Sequence, residues 1–200
     1  MVDKNIFIDD QIRALIFDCD GTLVDSMTLH MKAWERAFYF FNEQYDYDFL
    51  YSLKGMKEIE IIELYNKKFG KDINPEEIVA EKHKYFKKNI HYVEPIYPVV
   101  KIAKEYFGKF PLAVVSGSVR DIVHKELEVT GIIDLFKIIL TASDPFKPKP
   151  SPDIFIAASN NLNVSPEQCL VFEDGDSGIE AALKAGMQTV DVRKYLFMKE

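Results

Sequence analysis

Cysteine is nearly absent. The chain holds two in 200 residues, Cys19 and Cys169, too few for a disulfide framework and without a CxxC zinc spacing. That scarcity fits a reducing compartment. Basic residues are also in the minority, 25 lysines and arginines against 32 acidic residues, so the formal net charge is −7. A chain with that balance and no basic stripe is a poor binder of nucleic acid or of an anionic membrane. No apolar run approaches the ~18 residues of a membrane span. Met1 to Asn5, then Asp9 and Asp10, lack the basic-then-apolar order of a secretory leader. A cytoplasmic, soluble monomer is the expectation. Disorder is excluded as well, because 48% hydrophobic and 28% charged residues make a globular composition.

What is present begins with Ala14-Leu15-Ile16-Phe17, a continuous apolar run that stops at Asp18-Cys19-Asp20-Gly21-Thr22. Such a run suits a strand buried on both faces of a parallel sheet. Four more follow much later, at Leu112–Val115, Lys137–Leu140, Cys169–Phe172 and Thr189–Val192. Helical patterns separate them. One runs from Ser118, a candidate N-cap, to Thr130 before Gly131; another opens at Ser151-Pro152; a third opens with the capping box Ser177…Glu180 and closes at Gly186. The alternation predicts right-handed crossovers and a doubly wound, Rossmann-like α/β sheet.

The segment after the first strand reads differently. Met27, Met31, Trp34, Phe38 and Phe41 recur at helical spacing, as do Ile59, Ile62, Tyr65 and Phe69. Asn74-Pro75-Glu76-Glu77 is a helix start, continued by Val79, His83, Phe86, Ile90 and Val93. A helical bundle over 26–95, inserted between core segments 1–25 and 96–200, is the expected organisation.

In an open parallel sheet, ligands bind beyond the carboxyl ends of the strands. Those ends carry Asp18 and Asp20, then Ser116-Gly117-Ser118, then a loop with Lys147 and Lys149, then Glu173-Asp174-Gly175-Asp176. Clustered carboxylates without histidine or cysteine make a hard-oxygen site, which favours Mg²⁺ over zinc. A cation keeps its neighbours ionised, so Asp18 can act as a nucleophile toward phosphorus. Asp20, pointing to the same side, can protonate the leaving oxygen and then deprotonate water. Ser116 and the N–H groups of Gly117 and Ser118 suit phosphoryl oxygens, and Lys149 offers them a point charge.

Asp18-Cys19-Asp20-Gly21-Thr22-Leu23-Val24-Asp25-Ser26 resembles motif I of the haloacid dehalogenase (HAD) superfamily. Val115-Ser116-Gly117-Ser118 resembles motif II, Lys149-Pro150-Ser151-Pro152-Asp153 motif III, and Phe172-Glu173-Asp174-Gly175-Asp176 motif IV. The helical insert is similar to the cap of the β-phosphoglucomutase-like group. The stretch Ala185 to Arg193 looks like that group's fructose-1-phosphate and 6-phosphogluconate phosphatases. The resemblance implies a Mg²⁺-dependent phosphatase of small sugar phosphates working through an aspartyl-phosphate. By the same resemblance Asp18 is the nucleophile and Asp20 the acid/base. Asp18, the Asp20 carbonyl and Asp174 hold the metal, Glu173 holds it directly or through a water, and Ser116, Gly117 and Lys149 bind phosphate. The resemblance also selects Lys149 over Lys147, and it leaves His30 either orienting substrate or serving as a satisfied helix histidine.

Singly, each feature has an ordinary explanation: Asp20-Gly21 as a turn, Ser116 or Ser118 as a cap, a loop lysine as a solvated charge. Their joint placement on successive strand ends outweighs these. Cys19, Cys169 and His83 read as structural. A hexose-phosphate mutase would use the same core but needs a cap cation for a second phosphate, where Gly55-Met56-Lys57-Glu58 places a carboxylate. A dehalogenase has no need of Asp20. A phospho-accepting receiver module has a different order of strands and acids, and a degenerate HAD-like binding module would lack part of the rim.

Overall fold

The computed structural model describes residues 6 and 8–196; Met1 to Asn5, read above for the lack of a leader, lie outside the described residues. Among the described residues the strands are β1 (Ala14–Phe17), β2 (Val24–Asp25), β3 (Glu94–Pro95), β4 (Leu112–Val115), β5 (Ile138–Leu140), β6 (Cys169–Glu173) and β7 (Gln188–Asp191). The helices are α1 (Met27–Phe40), α2 (Tyr47–Ser52), α3 (Glu58–Phe69), α4 (Pro75–Asn89), α5 (Tyr97–Tyr106), α6 (Arg120–Val129), α7 (Asp153–Leu162), α8 (Asp176–Lys184) and α9 (Arg193–Leu196).

The five apolar runs of the sequence form one parallel sheet in the order β5-β4-β1-β6-β7. Strand order reverses at β1, so the crevice for a ligand lies beyond its carboxyl end. Side chains alternate across the sheet. Leu15, Phe17, Val114 and Phe172 face α5 and α6, while Ala14, Ile16, Val115 and Val171 face α7 and α8. Both faces are therefore covered, which is why each strand reads as unbroken apolar sequence rather than as alternation.

Between β1 and α5 the chain makes an excursion through α1–α4. It leaves by β2 and returns by β3, which pair antiparallel, Val24 with Pro95 and Asp25 with Glu94. Trp34, Phe38, Leu50, Ile62, Tyr65 and Ile78 pack into a core of their own. Phe86 and Ile90 of the same excursion join the core under the sheet. Asn74 caps α4 as its sequence predicts, accepting from the Glu77 N–H at 3.2 Å. Sequence periodicity passed over α2, which is too short for a periodic face and is capped by Asp46, and over α5. No described helix is long and apolar enough to cross a membrane.

Three helix starts differ from the sequence reading. The N-cap residues are Val119 for α6, Pro152 for α7 and Gly175 for α8, not Ser118, Ser151 and Ser177. Each serine hydroxyl has another partner: Asp20 Oδ2 at 2.8 Å, Asp153 Oδ1 at 2.8 Å and the Lys54 carbonyl at 3.4 Å. For the first two the partner is a carboxylate, which forms stronger hydrogen bonds than a neutral acceptor. The last strand ends at Asp191, because Val192 already turns while its N–H still reaches the Glu173 carbonyl at 3.0 Å.

Candidate active site

The chain leaves β1 through a tight reversal. The N–H groups of Thr22, Leu23 and Val24 all point at the Cys19 carbonyl, at 2.9–3.2 Å. Gly21 makes this possible with φ +82, and any Cβ there would collide with the Asp174 carboxylate. The reversal sets Asp18 and Asp20 beside the end of β6. Asp18, Asp20, His30, Gly117, Glu173 and Asp174 then line one small pocket of about 50 Å³. Ser116 and Lys149 sit immediately behind it. All eight residues expected from the sequence are thus brought together.

Three carboxylates crowd this pocket. Asp18, Glu173 and Asp174 each offer an oxygen within 4.8 Å of the other two, and all three are buried. Lys149, from the loop after β5, donates to Asp18 Oδ1 at 2.8 Å, to Glu173 Oε2 at 2.7 Å and to the Val115 carbonyl at 3.2 Å. Lys54 pairs with Asp174 from the opposite side. Even so, burial and the neighbouring Glu173 push the Asp18 carboxyl well above the usual range, against the pull of Lys149. The site is short of positive charge, and its donors are oxygens only. That combination fits a hard divalent cation.

Asp20 lives in the opposite environment. Burial favours its neutral form, but His30 and the Ser26 hydroxyl outweigh that and hold the carboxyl far below its ordinary value. Its Oδ1 accepts from Ser26 at 2.6 Å and lies 2.7 Å from His30 Nε2; its Oδ2 accepts from Ser118 at 2.8 Å. His30 is stacked on Phe86, and its Nδ1 lies 2.6 Å from the Lys82 ammonium. With Lys82 donating to Nδ1, Nε2 carries the ring proton toward Asp20. His30 therefore addresses Asp20 rather than open space. Lys82 also pairs with Glu58, whose other oxygen meets His83 Nε2. His83 accordingly meets a carboxylate instead of filling an apolar face, and the Glu58 carboxylate is matched by Lys82.

Glu58 supplies a pH test. Burial pushes its carboxyl up, but Lys82 and His83 overcome this and hold it at about 2 against an ordinary 4.5. A lowered carboxyl stabilises the fold fully above its unfolded value and loses that contribution as pH falls toward the folded value. Glu58→Gln should therefore cost about 3 kcal/mol at neutral pH, with the gap from wild type closing between about pH 4.5 and pH 2. Urea melts across that range would show it; a constant gap would contradict the pairing.

Sequence reading missed four contributors. Lys82 lies on the inward face of α4 between Val79 and Phe86, and Glu126 lies on that of α6 between Val123 and Leu127. A charge at a core position was the available signal in both. The Lys82 ammonium is accommodated over the faces of Trp34 and Phe86, at 5.3 and 5.2 Å. Glu126 is wholly buried beside Asp20 and His30, accepts from the Cys19 thiol at 3.6 Å, and is pushed to about 8 by burial and by Asp20. Lys54 and the Ser118 hydroxyl gave no signal, since their partners are fixed only by long-range packing.

The excursion closes on the sheet edge through backbone. A Cβ at Gly117 would run into the Gly55 carbonyl. Gly117→Ala should hold the two loops apart and lower activity about 100-fold, in line with the cost of small misplacements at reacting groups. Its global stability should stay within about 1 kcal/mol of wild type, because the site is at an edge rather than in the core. Activity assays beside thermal melts would separate the two effects.

The sequence matches the haloacid dehalogenase-like hydrolase family over residues 15–192. The chain belongs to that family. Among HAD relatives, it is 35% identical over 185 residues to fructose-1-phosphate phosphatase YqaB of Escherichia coli, covering 92% of this chain and 98% of that protein. It is 31% identical to the β-phosphoglucomutase of Bacillus subtilis, over 90% of this chain and 83% of the other. The solved β-phosphoglucomutase of Clostridium difficile superposes with a TM-score of 0.75 at 28% identity, covering 89% and 83% of the two chains. The chain is a HAD-family enzyme, and the phosphatases among its relatives place it with the phosphoric monoester hydrolases.

Proposed function

We propose that the chain is a Mg²⁺-dependent phosphatase that hydrolyses a small sugar phosphate through a phosphoryl group carried transiently on Asp18. The observation that carries this reading is the convergence of Asp18, Asp20, Lys149, Glu173 and Asp174 on one buried pocket. An oxygen of Asp18 attacks phosphorus as the bond to the leaving oxygen breaks, and Asp20, ionised in the free protein and protonated once substrate is bound, gives that oxygen its proton. Asp20 then takes a proton from water, whose oxygen attacks phosphorus, breaks the Asp18–phosphorus bond and frees phosphate. Asp20 is steered by His30, which Lys82 holds in place.

Lys149, the Ser116 hydroxyl and the Gly117 and Ser118 N–H groups draw the phosphoryl oxygens in and stabilise their charge. Asp18, Glu173, Asp174 and the Asp20 carbonyl would hold Mg²⁺. When bound, the cation offsets the negative charge of the phosphoryl group and of the carboxylates around it. Residues 26–95 serve as a cap over core segments 1–25 and 96–200, excluding water while the phosphoryl group is on the protein. The scarce cysteines support a cytoplasmic location and the acidic balance a small-metabolite substrate rather than nucleic acid, with a composition that permits a monomer.

A phosphate-release screen over phosphorylated metabolites, with Mg²⁺ and then with chelator, tests the reading. Release that needs the metal is expected. Net isomerisation of β-glucose 1-phosphate with a bisphosphate primer, without free phosphate, would overturn it in favour of a mutase.

A further inference from the structure

The pocket that gathers the carboxylates holds about 50 Å³, well short of the ~300 Å³ at which small-molecule sites begin. It has room for the reacting group and not for the rest of a substrate. A cavity of about 630 Å³ lies against it, and Met27, Met31, Lys54 and Asp174 are walls of both. This second space opens between α1, α2 and the end of β7.

Its distinctive wall is aromatic. Tyr47 and Tyr51 stack with centroids 5.5 Å apart and planes 11° apart, and Tyr45 meets Tyr47 edge-on at 6.5 Å. Every lysine and arginine of the lining is already matched: Lys32 with Glu35 at 3.0 Å, Lys54 with Asp174, and Arg193 with Asp191 at 2.8 Å. A second phosphate would have to compete with Asp174 and Asp191 for Lys54 and Arg193, leaving only Lys32, whose pair with Glu35 is half exposed and weak. Flat rings with hydroxyl edges instead fit a neutral, hydroxyl-rich body with an apolar face, which a sugar ring presents through its C–H groups. The loop from Lys54 to Glu58 has both end residues engaged, Lys54 with Asp174 and Glu58 with Lys82 and His83.

We infer that the tyrosine-walled cavity holds the uncharged carbohydrate body of a phosphate monoester while its phosphoryl group enters the small pocket. This rests on the phosphatase reading and assigns the residues that select its substrate: Tyr47 and Tyr51, by the ring surface that their mutual stacking and the Lys54 ammonium over Tyr51 leave open, with Tyr45 beside them. Binding energy gathered there acts at the reacting centre, so substrates lacking a ring forgo it.

Kinetics of the full chain with Mg²⁺ on its best hexose monophosphate and on acetyl phosphate, which has no ring, test this. Tyr47→Ala and Tyr51→Ala should raise KM for the hexose phosphate about tenfold, as for lost pocket contacts in general. Both should leave kcat/KM for acetyl phosphate within about twofold, and Tyr51→Phe, which keeps the ring face, should behave as wild type. The corresponding hexose bisphosphate should be the poorer substrate of the wild-type chain. An unchanged KM for the hexose phosphate, an equal loss on both substrates, or a preference for the bisphosphate each overturns the assignment while phosphatase activity stands. Phosphate release from no monoester at all sinks the phosphatase reading, and this one with it.

Discussion

Asp18→Asn is expected to lower phosphate release by about 10⁴-fold or more, since a neutral amide cannot take the phosphoryl group and no second carboxylate replaces it. The change is nearly isosteric and the position is buried, so the pocket should keep its shape. Stability should move the other way. The Asp18 carboxyl is pushed well above its usual range by burial and by Glu173, so a permanently neutral side chain removes a cost that the metal-free fold carries. A gain in stability without divalent cation is expected, shrinking or reversing when Mg²⁺ is added. Phosphate assays and melts with and without the metal measure both halves. Appreciable turnover in the variant would remove Asp18 as the phosphoryl carrier.

Lys149→Met should be the most damaging change to the metal-free fold. The ammonium is 2% exposed by side chain and bonds Asp18 and Glu173 together. Without it, two buried carboxylates face each other with Asp174 close by, and breaking a buried pair in this way costs about 3–5 kcal/mol. Mg²⁺ should recover part of that loss, because it supplies charge to the same oxygens. Activity should still fall about 10²- to 10³-fold, the usual consequence of losing one preorganised charge at a phosphoryl group. Lys149→Arg should rescue neither, since a planar guanidinium cannot sit on three acceptors converging at one nitrogen. Urea titrations with and without Mg²⁺ decide this; a variant as stable as wild type in chelator would show that the carboxylates do not depend on Lys149.

The sheet and the residues at its strand ends were legible because they are local. A strand buried on both faces announces itself as an unbroken apolar run, and in an open parallel sheet whatever follows such a run lies at the binding edge. Asp18, Ser116 and Glu173 are therefore readable from their strands alone, while Lys149 is told from Lys147 by the motif around it. Helix ends were harder, because Ser118, Ser151 and Ser177 have the chemistry of caps but spend their hydroxyls on other partners. Hardest were Lys54, Lys82 and Glu126. Each is a charge whose partner lies far along the chain: the packing of α1, α3, α4 and α6 around Asp20 gathers Lys82 and Glu126, and the closing of the Lys54 loop on the end of β6 brings Lys54 to Asp174. Periodicity marks where a helix faces inward; it does not say which distant group waits there.

The ribbon formed by β2 and β3 has a mechanical consequence. Only two residues on each side join the four-helix excursion to the sheet, one of them a proline without a donor, and Asp25 stands directly across from Glu94. Like charges placed opposite each other weaken a strand pair, and both are exposed. The pairing is therefore weak in itself and gains as ionic strength screens the two charges, so the seating of the excursion on the sheet is left to buried residues such as Phe86 and Ile90.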